Sequence, residues 1–359
     1  MKEVRIKDIC TKGSSALKQK DLSTEGTYAV YGASGIAGYL DTFQQENEYI
    51  GVVKDGSGIG RVDFYPQKTS LIGTLQYILP KNGFDIRYIG YCLQSLDLSK
   101  YKQGAAIPHI YFRDYGERIV NVTDDIKDQQ SIVDYLDSAF AKIDALKANA
   151  EKALNEAKAL FQASLKEMMK PKEGWEEKKV GDIAEIKGGK RLPKGEKLLS
   201  EPTKYKYIRV ADFNEYGTVD LDDIQYISEK VYEQIKRYII NKEDIYVSIA
   251  GTIGKSGIIP EELDGANLTE NACRLILSKE INQKFMYYIT ISPDFIRQEV
   301  DSTKVSAQPK LALTRLADII VSYPSYVDQQ RIADTLDSLK SKVDRLQENF
   351  DKISQECDA

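Results

Sequence analysis

Apolar residues recur every three to four positions at Ile132, Leu136, Ala139, Ile143, Leu146, Ala150, Ala153, Ala157 and Leu160, with charged residues between them. The rhythm returns at Ile332, Leu336, Leu339, Val343, Leu346, Phe350 and Ile353. Each is a heptad seam held for three to four repeats, which predicts two long amphipathic helices. The first runs on to Pro171, about 40 residues and therefore about 60 Å. Asp128 and Asp328 stand where an N-cap belongs, because a short acidic side chain there accepts from free backbone amides. Elsewhere the pattern shortens. Runs at 49–53, 75–79, 205–210, 245–249 and 273–277 are β-branched or aromatic and bounded by Gly, Asn and Asp, which predicts strands. Segments 87–95 and 282–291 predict one helix in each strand-rich lobe. Glycine-rich stretches 32–38 and 54–60 predict loops, and Pro171 with Gly174 marks a boundary.

The two helical patterns are copies. Residues 128–153 and 328–353 are identical at 13 of 26 positions with an offset of 200 and no gap, beginning Asp-Gln-Gln-x-Ile in both. Upstream, Ile119-Val120 aligns with Ile319-Ile320 at the same offset, and Ile78-Leu79 with Ile276-Leu277 at 198. Ile59-Gly60-Arg61 aligns with Ile253-Gly254-Lys255 at 194, and Lys7-Asp8-Ile9 with Gly181-Asp182-Ile183 at 174. The chain therefore reads as a tandem duplication with diverged middles. Ala139, Ala150 and Ala153 match Leu339, Phe350 and Ile353, small against large, so the helices are expected to pack together, antiparallel.

Length, 359 residues, allows two domains at roughly 100–200 residues each. No stretch approaches the roughly 18 apolar residues of a membrane span, and the first ten residues lack the apolar core of a signal peptide. A soluble, cytoplasmic protein is expected. The four cysteines form no CxxC pair and His109 is the only histidine. That removes zinc ribbons, HExxH sites and poly-histidine metal sites, and it argues against Ser-His-Asp catalysis. No metal or cofactor is expected.

The net charge of −5 argues against nucleic acid on average, yet Lys187 to Arg209 holds eight basic residues against Glu196 and Glu201. Lys187, Lys190, Arg191, Lys194, Lys204, Lys206 and Arg209 are candidate phosphate contacts, or else a solvated loop. Both copies place a cation after Ile-Gly, Arg61 and Lys255, where backbone amides and a charge suit a phosphate. Tyr31 and Ser34 beside the first glycine loop, Lys54 in the second, and Lys102, Gln103, Lys304, Ser306 and Gln308 before the long helices complete the candidate DNA-binding set. His109 reads as a loop residue without chemistry. Gly254-Lys255-Ser256 has the tail of a phosphate-binding loop but Ile249 where its first glycine belongs. A nucleotide-hydrolysing DNA-processing enzyme and a coiled-coil adaptor without DNA contact are the alternative readings.

Two lobes opening with Ile-Lys-Asp-Ile or Val-Gly-Asp-Ile, the second preceded by Gly174-Trp175, and each closing with Asp-Gln-Gln-x-Ile and a heptad helix, resemble the DNA-specificity subunit of type I restriction–modification systems. The resemblance covers essentially the whole chain, although the usual Glu-Gln is Gln-Gln here and the proline of the lead-in survives only at Pro324. It implies an α+β fold with two target-recognition domains, 1–127 and 171–327, and two spacer helices, 128–170 and 328–359. Each domain would read half of a split site in double-stranded DNA. The helices would set the spacing and dock two methyltransferase subunits, with restriction subunits joining through these. Helix packing and partner docking would fall to Gln129, Gln130, Ile132, Leu136, Ile143, Leu146, Gln329, Gln330, Ile332, Leu336, Leu339, Val343, Leu346 and Phe350. The chain itself would be non-catalytic, and no Asn/Asp-Pro-Pro-Tyr/Phe methyltransferase motif occurs in it.

Overall fold

The computed structural model describes residues 1–104, 108–303 and 310–358. The chain divides into two compact units, Met1–Ala145 and Leu146–Ala359. Each opens with an edge ribbon. Lys2–Arg5 pairs antiparallel with Ile119–Val122 in the first unit, and Glu176–Lys179 with Ile320–Tyr323 in the second. A single helical turn follows, Ile6–Ile9 or Val180–Ile183, whose first and last residues are buried.

The central sheets are built identically. In the first unit the order is Cys10–Ser14, Leu75–Pro80, Tyr49–Val53, Val62–Tyr65, and in the second Ala184–Gly188, Ala272–Leu277, Ile245–Ser248, Ser256–Ile258, all antiparallel. Tyr49–Val53 and Ile245–Ser248 are buried at every position, as central strands covered on both faces must be. A second sheet completes each lobe, of three strands in the first unit and four in the second. The stretch 32–38, expected as a loop, is mostly hairpin. Tyr28–Gly32 pairs with Gly35–Leu40 across a turn at Ala33 and Ser34.

Register corrects two of the sequence alignments by one residue. Cys10 faces Pro80 and Ala184 faces Leu277, so Ile78 is matched by Leu275, not Ile276. Both are fully buried, whereas a slip of one would turn the side chain to the other face. The amide of Ile6 donates to Arg118 O and that of Val180 to Ile319 O, so Ile319 matches Arg118, and the first copy carries one extra residue before its helix.

The long helices span Ile126–Met168 and Tyr326–Asp358. Asp128 and Asp328 are therefore in the first turn rather than at the caps. Asp125 Oδ1 accepts from the amide of Lys127 at 2.8 Å, and Ser325 Oγ from that of Asp328 at 3.3 Å. Within the second unit the end of the first helix and the second helix run antiparallel. Leu165 shares a core with Ala333 and Leu336, and seven residues earlier Lys158 Nζ donates to Gln347 Oε1 at 2.7 Å. The inward stripe here is Leu154, Phe161 and Leu165, while Ala153 and Leu160 are exposed. Ala153, expected to pack against Ile353, is thus off the buried face, which Leu154 occupies instead. A straight helix drifts about 20° per heptad from a 3.5-residue repeat, so a seam counted from Ile132 moves off the buried face after three heptads. Ile143 and Leu146, 38% and 61% exposed, stand outside that packing. The helices Glu229–Ile235 and Pro293–Ser302 were not anticipated, although Ser228 and Ser292 cap them and Pro293 opens the second, and neither were the short turns Phe112–Tyr115 and Leu313–Ala317.

Candidate nucleic-acid interface

Each lobe is fixed to its long helix by the same atoms. In the first, Gln129 is fully buried; its Oε1 accepts from the amide of Asp85 at 2.7 Å, and its Nε2 donates to Gly83 O and Thr123 O. In the second, Gln329 Oε1 accepts from the amide of Asn282 at 2.8 Å, and Nε2 donates to Glu280 O and Pro324 O. Asp85 and Asn282 in turn cap the helices Ile86–Gln94 and Gln283–Thr290. Two turns further on, Asp137 accepts from Tyr91 and Arg87, and Asp337 from Tyr288 and Lys284. The amide side chain donates and accepts at once, so it can close three backbone groups that a carboxylate could not. The hydroxyl bond from Tyr91, together with Arg87, holds the Asp137 carboxyl below its ordinary range.

At one end of each central sheet the loops converge in the same way. The amides of Lys54 and Asp55 both donate to Thr74 O, and Ile110 N donates back to Lys54 O at 2.9 Å. In the second lobe the amides of Ile249 and Ala250 donate to Asn271 O, and Leu311 N to Ile249 O at 2.9 Å. Asp55 bridges to His109, and Ala250 to Lys310. The hairpin beside them closes through Gly60 N to Val53 O and Gly254 N to Ser248 O, with φ of +88° and +86°, values that favour glycine. In the second lobe the basic run enters this end of the sheet. Lys190 N donates to Leu268 O, and Arg191 Nε meets Glu270 Oε1 at 2.6 Å, next to Asn271. Loops of different composition on a duplicated frame are what two different recognition surfaces require.

Residues 1–156 and 172–355 both match the type I restriction modification DNA specificity domain. The chain belongs to that family. The match to the type I restriction enzyme EcoBI specificity subunit of Escherichia coli is 33% identical over 141 residues, 39% of this chain and 29% of that subunit. The MjaVIII specificity subunit of Methanocaldococcus jannaschii is 23% identical across 98% of this chain and 89% of its own length. Among solved structures, a chain from work on complex assembly and conformational transition of the type I restriction–modification system superposes with a TM-score of 0.74, at 13% identity, over 99% of this chain and 94% of that one. The HsdS subunit of Thermoanaerobacter tengcongensis gives 0.62, also at 13% identity and the same coverage. At such identity these two matches carry the fold alone.

On this specificity-domain frame the sequence candidates separate into groups. Lys54 and Gln103 lie with His109 at the loop end of the first lobe, where the Gln103 and His109 backbones pair and Gln103 Nε2 donates to Asp114 at 2.8 Å. Lys102 and Ser34 are exposed. Arg61 pairs with Asp63 and donates to Ala33 O, and Tyr31 packs edge-on against Tyr65 at 5.1 Å, within a cluster of tyrosines. In the second lobe, Lys187 pairs with Glu185, Lys190 lies over the ring of Tyr238 at 5.5 Å, and Lys194 is exposed. Lys204, Lys206 and Arg209 belong to the other sheet, on or flanking its interior strand Tyr205–Ile208. There Lys206 donates to Glu262 O, and Arg209 is held by Asp212 and Asp223. Lys255 is half-buried, with Nζ on Phe213 O at 3.1 Å. Lys304, Ser306 and Gln308 lie outside the described residues. The anchoring acids Asp137 and Asp337 were not anticipated. Their signal was legible, because Arg87 and Tyr91 match Lys284 and Tyr288 at one offset of 197.

Catalytic alternatives find no support in this geometry. Gly254-Lys255-Ser256 turns a β-hairpin, and Ser256 starts a strand with its hydroxyl bonded to Thr290 at 2.7 Å, whereas a phosphate-binding loop must open a helix. Burial pushes the thiols of Cys10 and Cys273 up to about 12, away from nucleophilic chemistry. Among the described residues no cluster of His, Cys, Asp and Glu could hold a metal, and no helix is long and apolar enough to cross a membrane.

Proposed function

We propose that this chain is the non-catalytic DNA-reading component of a type I restriction–modification complex in the cytoplasm. Domains 1–127 and 171–327 each read one half of a split, asymmetric double-stranded site. The spacer helices 128–170 and 328–359 set the number of unread base pairs and dock two methyltransferase subunits, through which restriction subunits join. The carrying observation is the pair of loop ends, with backbone pairing repeated bond for bond and side chains that differ. Phosphate contacts by Lys190, Arg191, Lys194, Lys54 and Lys102 would position the duplex, and polar side chains between them would read base edges. The exposed Ile143 and Leu146 offer apolar surface to a docked subunit.

The test is methylation mapping of DNA treated with the chain assembled with its methyltransferase subunits. Exchange of residues 8–127 for those of a relative is expected to change one half-site and leave the other intact. Simultaneous change of both half-sites, or robust methylation by the chain alone, overturns the reading.

A further inference from the structure

Residues 109–113 alternate strictly. Ile110 is buried and Phe112 packs against the first core, while Tyr111 and Arg113 are exposed and the His109 ring is 40% exposed. The second lobe repeats this at an offset of 201, with Leu311 buried and Leu313 packed on the core. There the outward positions are Lys310, Ala312 and Thr314, all exposed. Inward residues keep their apolar character in both copies, and the outward set has become His-Tyr-Arg in one and Lys-Ala-Thr in the other.

The outward set of the first lobe is organised. Asp55 Oδ1 lies 2.5 Å from His109 Nδ1. The His109 and Tyr111 rings are 6.2 Å apart at 30°, and Arg113 Cζ stands 4.6 Å from the Tyr111 ring centre. Nothing in the core needs these three side chains, yet they form a continuous cation–aromatic stack beside Lys54 and Gln103. A carboxylate accepting at Nδ1 fixes the ring orientation and leaves Nε2 free for a hydrogen bond outward.

We propose that the His109–Tyr111–Arg113 stack, oriented by Asp55, determines the sequence read by the first lobe, and that Lys310 holds the corresponding position in the second. This rests on the DNA-reading function proposed above. The outward Nε2 matches a hydrogen-bonding group on a base edge in the major groove, and the Arg113 fork matches guanine O6 and N7. The tyrosine between them fixes the guanidinium plane.

The test uses the full chain assembled with its methyltransferase subunits, comparing wild type with H109A, R113A, D55N and K310A on libraries of split sites. H109A and R113A are expected to lose at least tenfold in discrimination at one or two positions of the first half-site, with the second unchanged. D55N gives a smaller loss at the His109 position, and K310A alters only the second half-site. Because the His109, Arg113 and Lys310 side chains are outward, thermal midpoints of H109A, R113A and K310A should stay within about 2 °C, which separates lost reading from lost folding. H109A and R113A complexes that keep wild-type discrimination at the first half-site overturn the proposal, as does equal relaxation of both half-sites. A wild-type complex that reads no split site defeats the underlying function instead.

Discussion

The two copies agree where each lobe meets its long helix and disagree where the loops converge. Gln129 and Gln329 close equivalent backbone groups, and Asp137 and Asp337 each take a tyrosine hydroxyl and a cation. At the loop ends the backbone pairing is again the same, but Asp55–His109 is replaced by Ala250–Lys310. Assembly tolerates little change, because a buried amide with three bonded neighbours has no spare geometry. Recognition surfaces carry no such constraint once the backbone beneath them is paired. The hairpin glycines show a third case. Beside Gly60 lies the backbone of Leu98 and Ser99, whereas Gly254 faces the carboxyl of Glu299, a residue of the helix Pro293–Ser302.

The agreement breaks most sharply at the glutamines. Gln329→Leu should leave the Asn282 amide and the carbonyls of Glu280 and Pro324 unpaired, costing about 3 kcal/mol and lowering the thermal midpoint of the second unit by roughly 5–10 °C. Gln129→Leu should do the same in the first unit. Calorimetry checks both, and a loss in only one would mean the anchors are not equivalent.

Glu299 sharpens the difference. Burial pushes its carboxyl up from 4.5 to about 7, and Oε1 has no hydrogen-bond partner among the described residues. The folded state thus holds a proton that the unfolded chain releases, so stability falls as pH rises from about 4.5 to 7 and stays low above. Glu299→Gln should remove that slope and stabilise the second unit by about 2 kcal/mol at pH 8, with little change at pH 4. Thermal melts across that range test it, and the first unit should show no counterpart.

Asp137→Asn should cost about 1 kcal/mol at neutral pH, since the pair is partly exposed. The folded carboxyl is held below its ordinary value of 3.8, chiefly by the Tyr91 hydroxyl. The wild-type advantage is therefore full above that value and vanishes as pH falls through the folded one. Melts of the variant between pH 7 and 3 should converge on wild type at the acid end. The smallest effects belong to the basic run. Lys190→Ala should flatten the salt dependence of DNA binding by about one unit of slope, and Arg191→Ala by less, because Glu270 already holds that guanidinium. Neither should move the thermal midpoint, and equal slopes for wild type and Lys190→Ala would return the run to a solvated loop.

Periodicity and internal repetition determined a good deal on their own. They placed both long helices, the helices at 86–94 and 283–290, and five strands within a few residues, because each depends on local burial pattern. They also located the duplicated Asp-Gln-Gln, though not its task. A glutamine in the first turn of a helix is polar in any one-dimensional reading. Only the fold brings the Ile86–Gln94 and Gln283–Thr290 caps to within hydrogen-bonding distance of it. Register was decided in three dimensions for a similar reason, since Ile78 can be aligned with either Leu275 or Ile276 by type and only sheet pairing selects the buried one. The same holds for the candidate contacts. Charge along the chain grouped Lys187 with Lys204, Lys206 and Arg209, but strand pairing sends the last three to another sheet, and half-buries Lys255 against Phe213 O. His109 went the other way. As the lone histidine of an unremarkable loop it carried no signal, until the bridge to Asp55 set its ring beside Tyr111 and Arg113. Local sequence sets what each segment can form, whereas proximity between residues far apart in the chain arises only when the sheets close, and chemistry depends on that proximity.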